Sequence, residues 1–362
     1  MVPPAREAEY RVRPAAEEEF PRLIALFNRV FRWDKDARTF RWKYLDNPHG
    51  RAVVWVAEAP ASGEIVGSLA FVPRRIRVGG KTFVTFLASD GMVLEEWQRK
   101  GIFVRLLGIM FERSWEREAP FVTAFTGRRS VPGLLRTGWK TVGTILEMEL
   151  PLRGRRLFRR VLHRLPALEG PLGRAGDVLL ERGAAGRLLR RRPASRVVRV
   201  ERFDEDLARA GEEALAAVEA AMVRDRAFLD WRYVDNPTQR HTCWGAYREG
   251  RAAGYMVMEA RGEAAYVTDL LAADPEVRAD LLARAVQEAH RAGCAWIQCM
   301  ALEGDPMSAF FRAQGFRPLP RERLLPFMMK EGPAAGELAG RVLDPRRWYL
   351  SHGDRDAEHM TR

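Results

Sequence analysis

Gln98-Arg99-Lys100-Gly101-Ile102-Phe103 lies between a segment that reads as a strand ending near Leu94 and one that reads as a helix beginning near Gly101. At a strand-to-helix turn of this kind, backbone N–H groups and the helix dipole converge on an anion. Gly101 lets the backbone approach a ligand closely, and Arg99 and Lys100 add positive charge. Pyrophosphate is the natural ligand of such a turn. Three carboxylates, Asp90, Glu95 and Glu96, lie on or just beyond the strand that feeds it. A carboxylate there can take a proton from an incoming nucleophile. Asp90 is the best placed, because an apolar strand environment is expected to raise its pKa. The alternatives are a structural, hydrogen-bonding Asp90 and solvated Glu95 and Glu96.

The elements that must position these residues occur twice. Phe40-Arg41-Trp42-Lys43-Tyr44-Leu45-Asp46-Asn47-Pro48 returns as Leu229-Asp230-Trp231-Arg232-Tyr233-Val234-Asp235-Asn236-Pro237. Asp90 to Gly101 aligns without gaps on Asp269 to Asp280, and Leu135 to Trp139 on Arg312 to Phe316. A kept order at such separations marks a duplicated domain. Within the first copy, Tyr10 to Pro14 reads as a strand and Glu17 to Phe31 as an amphipathic helix. The Trp42 segment reads as a helix stopped at Asn47-Pro48. Strands follow at Val53 to Ala57, Ile65 to Val72 and Lys81 to Val93, with a hairpin at Ser62-Gly63. Then come a helix from Gly101 to Trp115, a strand at Phe121 to Phe125, a short helix ending at Gly138, and a strand from Ile145 to Leu150 that is expected to close the unit. The second copy repeats this order from Val197 to Met329.

The fold class expected is α/β with a mixed sheet, in two tandem domains. The expected divisions are an N-terminal domain over 8–150, a connector over 151–195, a C-terminal domain over 196–330 and a tail over 331–362. The copies disagree at the turn. The second reads Val277-Arg278-Ala279-Asp280, with Asp280 where Gly101 stands. A side chain there blocks close backbone approach, and its carboxylate would repel a phosphate. Only the first copy is therefore expected to bind one. The repeated Trp42 and Trp231 segments read as core and helix-end residues in both.

The net charge of +12 belongs to the connector, because Pro151 to Val200 holds 14 arginines against three acidic residues. Leu157, Phe158, Val161, Leu162 and Leu165 form an apolar stripe there, with Arg155, Arg156, Arg159, Arg160 and Arg164 around it. Two readings stay open: a linker helix packing its leucines onto the domains, or a basic amphipathic helix on an anionic membrane surface. No nucleic-acid partner is expected, since aromatic and basic residues do not interleave. No run approaches the ~18 apolar residues of a spanning helix, and the N-terminus lacks the apolar stretch of a signal peptide. Cys243, Cys294 and Cys299 suggest buried free thiols rather than disulfides or a zinc site, and the six histidines show no ligand spacing. The expectation is a metal-free cytoplasmic protein, peripheral to the inner membrane face if the connector binds lipid.

Arg13-Pro14 after a first strand, Ile65-Val66-Gly67 opening another, Val93 followed by Gln98-x-x-Gly101-Ile102, and Gly138-Trp139 after a short helix together resemble the GCN5-related N-acetyltransferase (GNAT) superfamily. The resemblance covers about Tyr10 to Leu150, with a weaker copy over about Val197 to Lys330. The Trp-Lys-Tyr-x-x-Asn-Pro segment and the terminal Trp348-Tyr349 … Gly353-Asp354-x-Asp356 resemble tandem members associated with bacterial surface-polysaccharide genes. The resemblance implies acetyl-CoA as cosubstrate. It implies contacts from the backbone at Met92, Val93 and Leu94, from Gln98, Arg99, Lys100, Gly101, Ile102 and Phe103, and from Ser130 if that residue is not simply a helix cap. Direct acyl transfer needs a base for the incoming amine, and by placement the candidates are Asp90 first and then Glu95 and Glu96. Two positions depart from the family pattern: Phe103 replaces a small loop residue, and Leu134 (Phe311 in the second copy) replaces a tyrosine that protonates the leaving thiolate.

The function expected is acyl-CoA-dependent acylation of an unidentified amine, on an amino sugar, peptide, polyamine or small molecule. The alternatives are a catalytically silent binding or scaffold protein of an envelope-polysaccharide system, which the missing tyrosine favours, and an aminoacyl transferase of the peptidoglycan type. The intact first loop argues against the last.

Overall fold

The computed structural model describes residues 9–128, 130–158, 169–320 and 325–355. The first repeat runs β1 (Arg11–Pro14), α1 (Phe20–Phe31), α2 (Ala37–Tyr44), β2 (Val53–Ala59), β3 (Glu64–Val78), β4 (Lys81–Val93), α3 (Ile102–Trp115), β5 (Phe121–Phe125), α4 (Val131–Arg136) and β6 (Lys140–Pro151). Each element follows from its residues. Leu23, Leu26 and Phe27 of α1 point into the core, and the helix ends where Arg32 turns left-handed at φ 56°. Asp36 caps α2 through Thr39 N at 2.9 Å. After α2, Asn47 donates to Pro73 O, tying the Asn-Pro stop to β3.

The connector forms α5 (Gly154–Leu157), α6 (Glu169–Arg182) and α7 (Ala184–Arg190). The second repeat follows with β7 (Arg196–Val200), α8 (Glu205–Leu215), β8 (Ala220–Met222), α9 (Arg226–Leu229), β9 (His241–Arg248), β10 (Arg251–Arg261), β11 (Ala264–Ala272), α10 (Pro275–Arg291), β12 (Trp296–Leu302), α11 (Pro306–Ala313), β13 (Arg317–Pro318) and β14 (Leu325–Glu331). A short helix, α12 (Leu338–Val342), and a final strand, β15 (Trp348–Tyr349), complete the chain.

Contacts divide the chain into one unit of Met1–Gly143 with Leu325–Leu343 and another of Thr144–Leu324 with Asp344–Arg362. The first unit's sheet runs β1-β2-β3-β4-β5-β14, and the second unit's runs β6-β12-β11-β10-β9-β7. The repeats have therefore exchanged their last strands. Phe327 to Glu331 pair antiparallel with Phe125 to Phe121, while Ile145 to Pro151 pair antiparallel with Leu302 to Trp296. The expectation that Ile145 to Leu150 closes its own unit is corrected. Alternation makes a strand, but it does not say which sheet edge will receive it. This division differs from the expected cuts at 150 and 330 because the end strands are exchanged, and it has no cut at 195 because the connector goes with the second unit.

The connector packs into the second unit. Leu180, Leu188 and Leu189 lie on its core cluster. Arg156 stacks over Trp296 at 3.8 Å and pairs with Glu149, and Arg155 pairs with Glu263. Leu157, Val178 and Leu179 remain exposed. Val161, Leu162, Leu165, Arg159, Arg160 and Arg164 lie outside the described residues. Cys243, Cys294 and Cys299 are buried and free.

Candidate active site in the N-terminal unit

β4 ends at Val93 and a single 3-10 turn, Glu95–Trp97, leads into Gln98-Arg99-Lys100-Gly101. Arg99 (φ 64°) and Gly101 (φ 84°) are both left-handed, which bends the chain sharply into α3. Gly101 occupies the N-cap position, with no side-chain cap and no acidic residue in the first turn. The first amides of a helix have no intrahelical acceptor, so this end presents donors and a positive dipole. Gln98 Nε2 donates back to Val93 O at 3.3 Å, and Lys100 lies 4.5 Å above the Trp97 ring while pairing with Glu9. A Cβ on Gly101 would find nothing closer than Tyr10 Oη at 3.9 Å, so the approach to its backbone is open. Uncapped amides, a first helical turn without acids and free space together fit a pyrophosphate.

The strand before the turn departs from regular pairing as well. β4 pairs in parallel with β5 only at Phe86↔Val122 and Leu87↔Thr123, then diverges from it. On its other side the register with β3 shifts between Ser68 and Ala70, so Asp90 and Gly91 together face one residue, Leu69. This is a β-bulge, a device that re-aims backbone groups. Asp90 takes φ 47°, and Gly91 beside it is exposed although it lies in a central strand. Met92 and Leu94 point into the core, and Leu94 N donates to Val66 O.

Asp90 does not have the raised pKa expected of a base. Lys43 Nζ donates to its Oδ2 at 2.9 Å, Tyr44 Oη donates to the same atom at 2.5 Å, and Lys35 Nζ stands 3.9 Å away. Burial alone would push the carboxyl up. The two ammonium groups and the phenol outweigh it and hold the pKa at about 2. The partners come from α2 and the turn before it, which sequence periodicity does not connect to β4.

Residues 11–142 match the acetyltransferase (GNAT) domain family. The chain contains a GNAT domain. No protein of curated function matches the sequence. Among solved structures, a GCN5-related N-acetyltransferase from Anabaena variabilis is 11% identical, covers 89% of this chain and 72% of its own, and superposes with TM-score 0.64. A tandem GNAT protein from the clavulanic acid biosynthesis pathway is 16% identical with TM-score 0.56, over 90% of this chain and 99% of its own. Saccharomyces cerevisiae N-myristoyltransferase with bound myristoyl-CoA is 11% identical with TM-score 0.59, over 89% and 82%. These likenesses establish a tandem GNAT fold.

The second GNAT fold is closed at both places where the first is open. Val277 to Asp280 do not form a loop but lie inside α10, which starts at Pro275. Asp274 caps that helix through Glu276 N, and proline and glutamate fill its first turn. Asp280 does not face a ligand, contrary to expectation. It is fully buried and accepts from Arg191 Nε at 2.7 Å and from Ser195 N at 2.9 Å. β11 and β12 also diverge, pairing only from Ala264↔Trp296 to Tyr266↔Gln298. Here, however, the chain's own tail fills the gap. Tyr349 Oη accepts from Leu270 N at 3.3 Å and donates to Asp269 Oδ1 at 2.6 Å. Leu270 aligns with Gly91, so a phenol oxygen covers the amide whose counterpart belongs to the exposed Gly91.

The structure thus brings Met92, Val93, Leu94 and the 98–103 turn together around one open edge. Glu95 and Glu96 are exposed on the turn after β4, and Glu96 pairs with Arg29 at 2.8 Å. Ser130 sits at the N-cap position of α4 without a side-chain cap bond, and Leu134 is buried. Trp42 and Trp231 are both buried, as their repetition implied. Among the described residues no group of three or more His, Cys, Asp or Glu side chains is placed to hold a metal, and no helix is long and apolar enough to cross a membrane. Lys35, Lys43 and Tyr44 were missed as partners of Asp90. The offset of 189 residues that aligns Tyr44 with Tyr233 also aligns Lys35 with Arg224, a signal that two basic positions were kept.

Proposed function

We propose that the protein is an acetyl-CoA-dependent N-acyltransferase whose N-terminal unit alone holds the cosubstrate. One contrast carries the reading. The uncapped, acid-free start of α3 beside the exposed Gly91 bulge has its counterpart in the second unit, where α10 is capped by Asp274 and the tail covers Leu270. The amides from Arg99 to Phe103, with the Arg99 and Lys100 charges, would hold the pyrophosphate. The backbone at Met92, Val93 and Leu94 would take the pantetheine arm, with Ser130 on the far side of the gap. Bound acetyl-CoA supplies an acyl thioester. The bulge amides polarise its carbonyl oxygen as negative charge develops, the usual way fixed N–H donors stabilise such a centre. Leu134 gives no proton to the departing thiolate. A thiol of ordinary pKa near 8.5 leaves as an anion without one, and a missing general acid costs roughly 10²–10⁴-fold.

Asp90 acts as a positioning residue: its ion pair holds the left-handed bulge that exposes Gly91. The proton of the acceptor amine then passes to solvent or to the exposed Glu95. The buried Leu134 favours a second reading, a GNAT domain that binds CoA without turning it over. Incubating the protein with acetyl-CoA and a panel of amino sugars, polyamines and peptides, and following free thiol release, separates the two. Thiol release that depends on an amine supports the transferase, and CoA binding without release on any amine supports the silent binder. Absence of both contradicts the proposal.

A further inference from the structure

Phe103 is the second residue of α3, and its side chain is half-buried. The ring lies between two glycines. A Cβ on Gly91 would stand 2.8 Å from Phe103 Cε2, closer than carbon atoms approach, and a Cβ on Gly133 would stand 3.5 Å from Phe103 Cδ1, an ordinary contact. Gly91 belongs to the bulge of β4 and Gly133 to α4, the helix that follows β5. The ring therefore sits between the bulge of β4 and the helix α4. Neither glycine has a side chain that competes for this space, so the ring sets its cross-section.

We propose that Phe103 limits the acyl group to short chains such as acetyl, a specificity that rests on the cosubstrate reading above. In an open apolar channel each added methylene would gain burial and tighten binding. Against a ring already seated between Gly91 and Gly133, each added methylene must instead displace a packed group, which overpacks the site. The two cases predict opposite signs for the dependence of affinity on chain length.

The test is calorimetric titration of the full-length protein with CoA and with acetyl-, butyryl- and octanoyl-CoA, repeated on Phe103→Ala and Phe103→Leu. Wild type is expected to lose about tenfold or more in affinity from acetyl- to octanoyl-CoA. Phe103→Ala should remove or reverse that loss, and Phe103→Leu should lie between, which keeps the test intact if the alanine variant folds poorly. Octanoyl-CoA binding wild type as tightly as acetyl-CoA, or an unchanged loss in both variants, overturns the inference while leaving the cosubstrate reading standing. If neither CoA nor acetyl-CoA binds wild type, the cosubstrate reading itself falls and this inference falls with it.

Discussion

Tyr44 Oη donates to Asp90 Oδ2 at 2.5 Å, and the aligned Tyr233 Oη donates to Asp269 Oδ2 at 2.8 Å. Each carboxylate also meets the aligned cation: Lys35 lies 3.9 Å from Asp90, and Arg224 Nε donates to Asp269 at 3.0 Å. The second unit keeps this constellation without the open turn, which supports the reading proposed above of Asp90 as a positioning residue.

Asp90→Asn tests that assignment. Removing one charge from a buried pair costs about 3–5 kcal/mol, so the first unit should melt well below wild type. Turnover should fall together with stability while its pH profile keeps the wild-type shape. A variant that melts normally but loses one limb of the profile would make Asp90 the base. The sign of the acid dependence is also set. With the folded pKa at about 2 and an unfolded value near 3.9, the stabilisation is complete above about pH 4 and disappears as pH falls towards 2. Acid unfolding of wild type should steepen in that window, and the variant should lack that component.

Much of this was legible in the chain. The strand at Lys81–Val93, the helix from Ile102 and the Gly101 turn follow from period, glycine and charge, all of which are local. The exchange of β6 and β14 was not legible, because both candidate edges accept an apolar alternating strand. The tail over Leu270 was hidden too: Trp348-Tyr349 stood out as a motif, but nothing in its spacing points to β11.

Tyr349→Phe probes the closed second site. The phenol is fully enclosed and bridges Asp269 and the Leu270 peptide. Its loss removes a hydrogen bond to a buried charge, Asp269, at a cost of about 1.5–3 kcal/mol, while Leu270 N keeps Asp269 Oδ1 as an acceptor. Thermal unfolding should shift accordingly, with the number of CoA sites unchanged. A melting curve identical to wild type would mean the tail is not a structural part of this unit.

The connector gives a prediction of weak lipid binding. Arg155, Arg156 and Arg191 are engaged by Glu263, Glu149 and Asp280, leaving less charge for an anionic surface. Adsorption to anionic vesicles through the exposed Leu157, Val178 and Leu179 should be seen only at low salt, where screening is weak. Flotation that persists at physiological salt would restore the membrane-surface reading.

The asymmetry between the two GNAT folds is tested most directly by titrating the full-length protein with acetyl-CoA in a calorimeter, beside Gly101→Asp and Asp280→Ala. The account predicts one site per chain, lost in Gly101→Asp because a carboxylate then sits at the uncapped start of α3, and retained in Asp280→Ala whatever that change costs the second unit in stability. Two equivalent sites in wild type, or a Gly101→Asp protein that binds as before, would contradict it.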